Sequence, residues 1–195
     1  IYPYRIPTSL NMNFLSKYPA ELLFDTVYSE SSAFAAYRVQ IEGHEVTIIN
    51  QHMESIGLTQ TDKELYHEIT AHPSTNSLDE VKELLLSKLI NAARARNKQA
   101  DLTAEWIEDI PGNVIVCGDF NDSPLSYAVR RFRRMGFRNA YNELALGPGI
   151  TYHANRFWFR IDHILYRGDM EARWLQRLRC KSSDHYPLIT RFVWE

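Results

Sequence analysis

The sequence predicts one α/β domain built in layers and spanning residues 1–195. Three observations predict it. Runs rich in β-branched and aromatic residues alternate with helical periodicities, the pattern of sheets covered by helices. Apolar residues are 45% of the chain and charged residues 24%, enough for one core and little more. No repeat, low-complexity tract or long linker divides the chain. This composition excludes a disordered tail, a collagen-like chain and a disulfide scaffold. No apolar run approaches the roughly 18 residues that span a bilayer.

The elements follow in order. Residues 22–28 and 34–41 read as strands, and Glu42-Gly43-His44 turns the second into a returning strand over 45–50. Residues 58–71 look helical until His72-Pro73-Ser74-Thr75-Asn76 breaks them. Ser77 and Glu80 have capping-box spacing, and Val81, Leu84, Leu85, Leu89, Ala92 and Ala93 recur behind them at helical intervals. The pattern runs on through Ala100, Thr103 and Ile107 to Pro111-Gly112. Residues 114–117 are a short apolar strand ending at Gly118-Asp119-Phe120-Asn121. Ser123-Pro124 opens a further helix with Leu125, Ala128, Val129, Phe132 and Met135 as its stripe, closed by Gly136. Strands are expected at 137–141, 150–153, 157–166 and 188–194.

Net charge is −2, which gives no general affinity for nucleic acid or an anionic membrane. Its distribution is uneven. Residues 1–89 carry 6 basic and 12 acidic side chains, whereas 90–195 carry 16 and 12. Sixteen of the 22 cations are Arg, the residue suited to forked phosphate contacts. The cluster Arg130, Arg131, Arg133 and Arg134 opposes an apolar stripe and reads as a solvated face. Cys117 and Cys180 fit no metal-binding spacing, and Cys117 reads as a small buried hydrophobe.

Chemistry concentrates at four strand ends: Asn50-Gln51-His52, Gly118-Asp119-Phe120-Asn121-Asp122, Arg160-Ile161-Asp162-His163 and Ser182-Ser183-Asp184-His185. Each has a structural reading too. A lone His after a strand is ordinarily packed or on the surface, and Gly-Asp-Phe-Asn suits a turn with local side-chain bonds. Together they supply what phosphoester cleavage needs. Asp119 and Asp184 are oxygen ligands for a hard cation. His185 is a base for water, with Asp162 to orient and stabilise its imidazolium. Asn121 and His52 are donors for charge growing on the phosphoryl group. A serine nucleophile fits less well, because no G-x-S-x-G elbow is present. Zinc lacks its H-E-x-x-H or paired-Cys signature.

These four segments, with Ile161-Asp162-His163-Ile164 and Ser183-Asp184-His185-Tyr186-Pro187 in full, resemble in order the later motifs of the endonuclease/exonuclease/phosphatase superfamily. That is the DNase I-like group of metal-dependent phosphoesterases. Ser16-Lys17-Tyr18-Pro19 resembles its S-K-Y-P segment, and residues 147–164 resemble a bacterial subgroup of loosely assigned function. The resemblance implies a four-layer α/β sandwich, two mixed sheets flanked by helices, here lacking its first strands. It implies a Mg²⁺- or Mn²⁺-dependent hydrolase. His52 would contact the scissile phosphate, Asp119 would position nucleophile or metal, and Asn121 would stabilise the transition state. Asp184 would bind metal, and His185, paired with Asp162, would activate water. Asn50, Arg156, Trp158 and Arg160 are further candidates for substrate contact, the last three lying just before the Asp162 motif.

The superfamily also opens with a strand bearing an asparagine and a second strand ending in a metal-binding glutamate, both ahead of S-K-Y-P, and nothing in residues 1–15 is expected to supply these two strands. Glu21 and Glu54 fall after that segment and do not replace it. The chain is therefore expected to be the larger C-terminal part of a domain, weak in turnover and prone to self-association through exposed sheet edges. The alternative is an inert domain that only binds a phosphorylated or nucleic-acid ligand. Related bacterial proteins can carry membrane spans before the domain, which would anchor a parent protein. This piece is expected to be soluble and to make no membrane contact.

Overall fold

The structure is a computed structural model that describes residues 1–59, 61, 62, 64, 78–154 and 157–194, with side chains of 78–82 left aside. A six-stranded mixed sheet organises it. Strands β3 (Ala20–Ser29), β4 (Ser32–Ile41) and β5 (His44–His52) form an antiparallel meander. The Glu42-Gly43 turn between the last two has φ of 53° and 89°, the left-handed pair that a two-residue hairpin requires. Strand β6 (Asn113–Asp119) lies parallel to β5. A parallel neighbour demands a crossover, and the long helix α1 (Leu78–Glu108) belongs to it. Beyond β6 the sheet continues antiparallel through β8 (Asp162–Arg167) to the two-residue β7 (Arg138–Asn139).

The sheet is covered on both faces. Val114, Val116 and Leu165 pack against Ala100, Ala104 and Ile107 of α1 and Ala128, Val129 and Phe132 of α2 (Tyr127–Arg134). The alternate residues Ile115, Ile164 and Tyr166 face a second sheet, the antiparallel pair β9 (Met170–Arg177) and β10 (Leu188–Trp194). Period-two side-chain alternation thus builds two cores from one set of strands. A third cluster sets Tyr37 and Val39 beside Phe14 of β2 (Phe14–Ser16), which pairs with β1 (Tyr4–Ile6). This is the layered α/β architecture that the sequence predicts. Among the described residues no helix is long and apolar enough to cross a membrane.

Several boundaries differ from expectation for local reasons. Ser123-Pro124 forms a turn and not a helix start. Ser126 is the cap, its hydroxyl accepting from the Val129 N–H at 3.3 Å, and Leu125 is 76% exposed. The strand expected over 137–141 stops after Asn139, whose side chain accepts from the N–H groups of Tyr141 and Asn142 and opens α3 (Ala140–Leu144). Residues 150–153 and 157–161 form only isolated bridges, Tyr152 with Phe159 and with His185. Strand β9 was not anticipated because Glu171, Arg173, Gln176 and Arg177 dilute its apolar alternation. In α1 the buried stripe begins only at Ala92, and Leu84, Leu86, Leu89 and Ile90 stay exposed. Ser77, the Glu80 side chain, residues 65–71 of the helix expected over 58–71 and the break at 72–76 lie outside the described residues.

A capping exchange is present earlier. Asp62 accepts from the Thr59 N–H at 2.7 Å while Thr59 Oγ1 accepts from the Asp62 N–H at 3.2 Å. Lys88 of α1 donates to the same carboxylate at 2.5 Å, pinning the segment after β5 to the helix. These bonds, the Lys88 bond first, depress the Asp62 pKa from the ordinary 3.8 to about 2. The stability they contribute is complete above about pH 4 and disappears as pH falls toward 2. Lys88→Met should therefore lower the urea midpoint at pH 6 and lose that deficit near pH 2. Parallel curves at both pH values would show that the bond adds no stability.

Candidate functional site

The sheet register places three of the candidate residues in one row. His52 at the end of β5 pairs with Asp119 at the end of β6, and Asp119 pairs with Asp162 at the start of β8. Neighbouring strands stand about 4.8 Å apart, so the row brings three functional side chains to one rim of the sheet. Such an approach needs Gly118. Its φ is +126°, and a β-carbon there would lie 2.1 Å from the Gln51 carbonyl oxygen.

The segment after β6 is bound back on itself. Asn121 adopts φ 48°, which Asn tolerates better than most residues, and its N–H donates to Asp119 Oδ1 at 2.7 Å. Its side-chain amide donates to the Met53 carbonyl at 2.9 Å and lies 3.3 Å from His52 Nε2. The turn reading of Gly-Asp-Phe-Asn is therefore realised, and the turn sets Asn121 beside His52. His163, 2% exposed, points away from the row and places Nε2 3.0 Å from the Asp122 carbonyl. Burial pushes its pKa down, so it stays neutral. Arg96 of α1 is 4% exposed, pairs with Asp122 at 3.0 Å and donates to the Glu54 carbonyl at 3.1 Å. One arginine thus holds the segments that follow His52 and Asn121.

His185 arrives from the loop before β10. The buried Thr151 seats that loop. Its Oγ1 accepts from the N–H groups of Ile161 and Asp162, both at 3.1 Å, and its carbonyl accepts from the Tyr186 N–H at 2.7 Å. The Asp184 carbonyl takes the His153 N–H at 3.0 Å. His185 Nδ1 then lies 2.8 Å from Asp162 Oδ2, and Nε2 lies 3.8 Å from Asp119 Oδ2. The hydrogen bond to Asp162 raises the His185 pKa, opposed by burial and supported by the charges of Asp162, Asp119 and Asp184. A bond to Asp119 likewise raises that of His52, whose Nε2 is 3.5 Å from Oδ2. Burial and the nearby His185 pull it the other way.

His52, Asp119, Asn121, Asp184 and His185 share one cavity of about 470 Å³. Asp162 stands behind His185. Among the described residues Asp119, Asp162 and His185 bring one ligand atom each within 4.8 Å of one another, a donor set suited to a divalent cation. Other candidates go elsewhere. Asn50 turns its amide to the Met12 carbonyl at 3.4 Å and does not line the cavity. Arg160 lies over the Tyr141 ring at 4.4 Å and donates to Asn142 at 3.0 Å. Trp158 is 62% exposed and also outside the lining, and Arg156 lies outside the described residues. Alternation explains the miss: Phe157, Phe159 and Ile161 line the cavity, so the intervening Trp158 and Arg160 turn away. Tyr152, Leu85 and Leu89 also line it. In sequence Leu85 and Leu89 belong to the helical apolar stripe, so their period alone did not mark them as cavity residues. Glu54 is occupied by Ser29 and Ser32 at 2.7 and 2.9 Å, and Glu21 by Arg38 at 2.6 Å.

Residues 15–185 match the profile of the Endonuclease/Exonuclease/phosphatase family. No curated protein matches the sequence. An endonuclease/exonuclease/phosphatase from Bacteroides vulgatus superposes with TM-score 0.61 at 14% identity, over 98% of this chain and 76% of its own. The human Nocturnin catalytic domain with bound sulfate gives TM-score 0.58 at 17% identity, over 94% and 63%. D. rerio TDP2 complexed with a single-strand DNA product gives 0.57 at 14%, over 93% and 71%. At these identities the likeness is one of fold.

Arg96→Ala would leave Asp122 without its buried cation and the Glu54 carbonyl short of a donor. Removing one partner of such a pair costs ~3 kcal/mol. Chemical unfolding should show a loss of this size, and Asp122→Ala added to Arg96→Ala should cost little more. Fully additive losses would mean that the two side chains do not act together.

Proposed function

Because the chain belongs to the Endonuclease/Exonuclease/phosphatase family, we propose that this cavity hydrolyses a phosphoester by in-line attack of water. Members of the family act on phosphoester bonds. The observation that carries the reading for this chain is the Asp162–His185 contact at 2.8 Å, beside Asp119, Asn121 and His52. An imidazole whose Nδ1 is bonded to a carboxylate presents Nε2 in the state that accepts a proton.

His185 Nε2 takes the proton of the attacking water, and Asp162 stabilises the imidazolium that results. The water oxygen forms its bond to phosphorus as the opposite ester P–O bond breaks. His52, whose pKa the bond to Asp119 raises, gives a proton to the departing oxygen. The Asn121 amide donates to a phosphoryl oxygen where charge accumulates. Because Asp162 is already engaged with His185, Asp119 and Asp184 are the carboxylates assigned to a cation. A bound Mg²⁺ or Mn²⁺ would offset phosphoryl charge and orient the ester. The fold alone does not select a substrate: TDP2 is described with DNA and Nocturnin with sulfate.

Hydrolysis of bis-p-nitrophenyl phosphate in Mg²⁺ or Mn²⁺, with fold retained and turnover lost in His185→Ala, tests the reading. Ligand binding without turnover in any divalent metal would favour an inert binding domain. Asn121→Ala should raise the barrier by ~3 kcal/mol, seen in kcat. A change confined to KM would make Asn121 a ground-state contact.

A further inference from the structure

One wall of the cavity takes no part in the chemistry just described. Ile56 and Leu58 after β5, Leu85 and Leu89 on α1, and Phe157 and Phe159 before β8 line it together. Leu89 is 43% exposed and Phe159 53% exposed, and the other four are half-buried, so none of the six belongs to a buried core cluster. The two phenyl rings stack with centroids 5.9 Å apart, and Lys88 ties α1 to the turn beside Leu58. An apolar surface held in place next to reactive carboxylates and imidazoles marks a ligand subsite.

The charge of the described lining favours one kind of occupant over another. Among the described residues no Lys or Arg lines the cavity, and the charges that do are Asp119, Asp184 and the two histidines. A polynucleotide carries an anionic phosphate on either side of the one being cut, and proteins that hold one neutralise those neighbours with Lys and Arg. Among the described residues of this wall a neighbouring phosphate would meet leucine, phenylalanine or carboxylate. A phosphoryl group also fills only a small part of about 470 Å³.

Resting on the phosphoesterase reading, we propose that the substrate is a phosphoester whose alcohol portion carries an apolar alkyl or acyl substituent. That substituent lies on Ile56, Leu58, Leu85, Leu89, Phe157 and Phe159 while the phosphate faces His52 and His185. A soluble alkyl ester and a membrane lipid share this chemistry.

Titration calorimetry with n-alkylphosphonates from methyl to octyl, at fixed Mg²⁺, tests the subsite without requiring turnover, because the C–P bond is not hydrolysed. Affinity should rise by up to about fourfold per added methylene until the wall is covered. Leu85→Asp and Leu89→Asp, on the exposed side of α1, should each reduce that slope while thermal melting shows the fold retained. A flat series in the unaltered protein overturns the proposal, whatever bis-p-nitrophenyl phosphate gives. A steep series without hydrolysis of that ester keeps the subsite and rejects the phosphoesterase reading. Co-sedimentation with phosphatidylcholine vesicles, competed by octylphosphonate, assigns the substituent to a lipid. Octylphosphonate binding without co-sedimentation assigns it to a soluble ester. Tighter binding of an oligothymidylate than of octylphosphonate, weakened by Phe159→Ser, overturns the proposal in favour of a stacked base.

Discussion

The site depends on the register of three strands. Because β5 runs parallel to β6 and β6 antiparallel to β8, His52, Asp119 and Asp162 fall in a single row. A slip of one residue in either pairing would turn one of these side chains to the opposite face. The register is held by burial on both sides: Val114 and Val116 face the helices while Ile115 faces the second sheet. Gly118 then permits the close approach at the rim, where a side chain would collide with the Gln51 carbonyl. The parallel step between β5 and β6 is also what requires a crossover. The helix within it supplies Arg96 and Gln99 to the loops beside the row.

The second constraint is polar. Buried charged groups are costly unless satisfied, and here their bonds converge on the loops that border the cavity. Gln99 accepts from the Glu54 N–H and donates to Ser32, Arg96 bonds the Glu54 carbonyl and Asp122, and His163 reaches the Asp122 carbonyl. Thr151 performs the equivalent task for the Asp162 and Tyr186 backbone. None of these side chains lines the cavity, yet each fixes one that does or one directly behind it. The arrangement leaves the functional groups themselves free of core packing.

Much of this was legible in the sequence. The strands flanking the row are apolar runs ending in His52 and Asp119, and their β-branched content announces them. The motif order brought His52, Asp119, Asn121, Asp162, Asp184 and His185 to attention, and the structure brings all six to one neighbourhood. Asn50, Trp158 and Arg160 illustrate the limit. Chemical type made them attractive, but direction is set by alternation, and on that segment residues 157, 159 and 161 face inward. Strand β9 was hidden because its charged residues mask a half-buried alternation. The leucines of the first half of α1 carried a helical period and so read as core. Their exposure depends on which surface the helix meets, which periodicity alone does not specify.

The central claim is that Asp162 and His185 act as one proton-accepting unit placed by the sheet beside Asp119. A double-mutant cycle on kcat/KM for bis-p-nitrophenyl phosphate measures this directly, using Asp162→Asn, His185→Ala and the pair. If the two residues form a unit, the double variant should be no slower than His185→Ala alone, because the carboxylate has nothing left to orient. Losses that add in free energy across the two substitutions would show that they act independently, and would contradict the account.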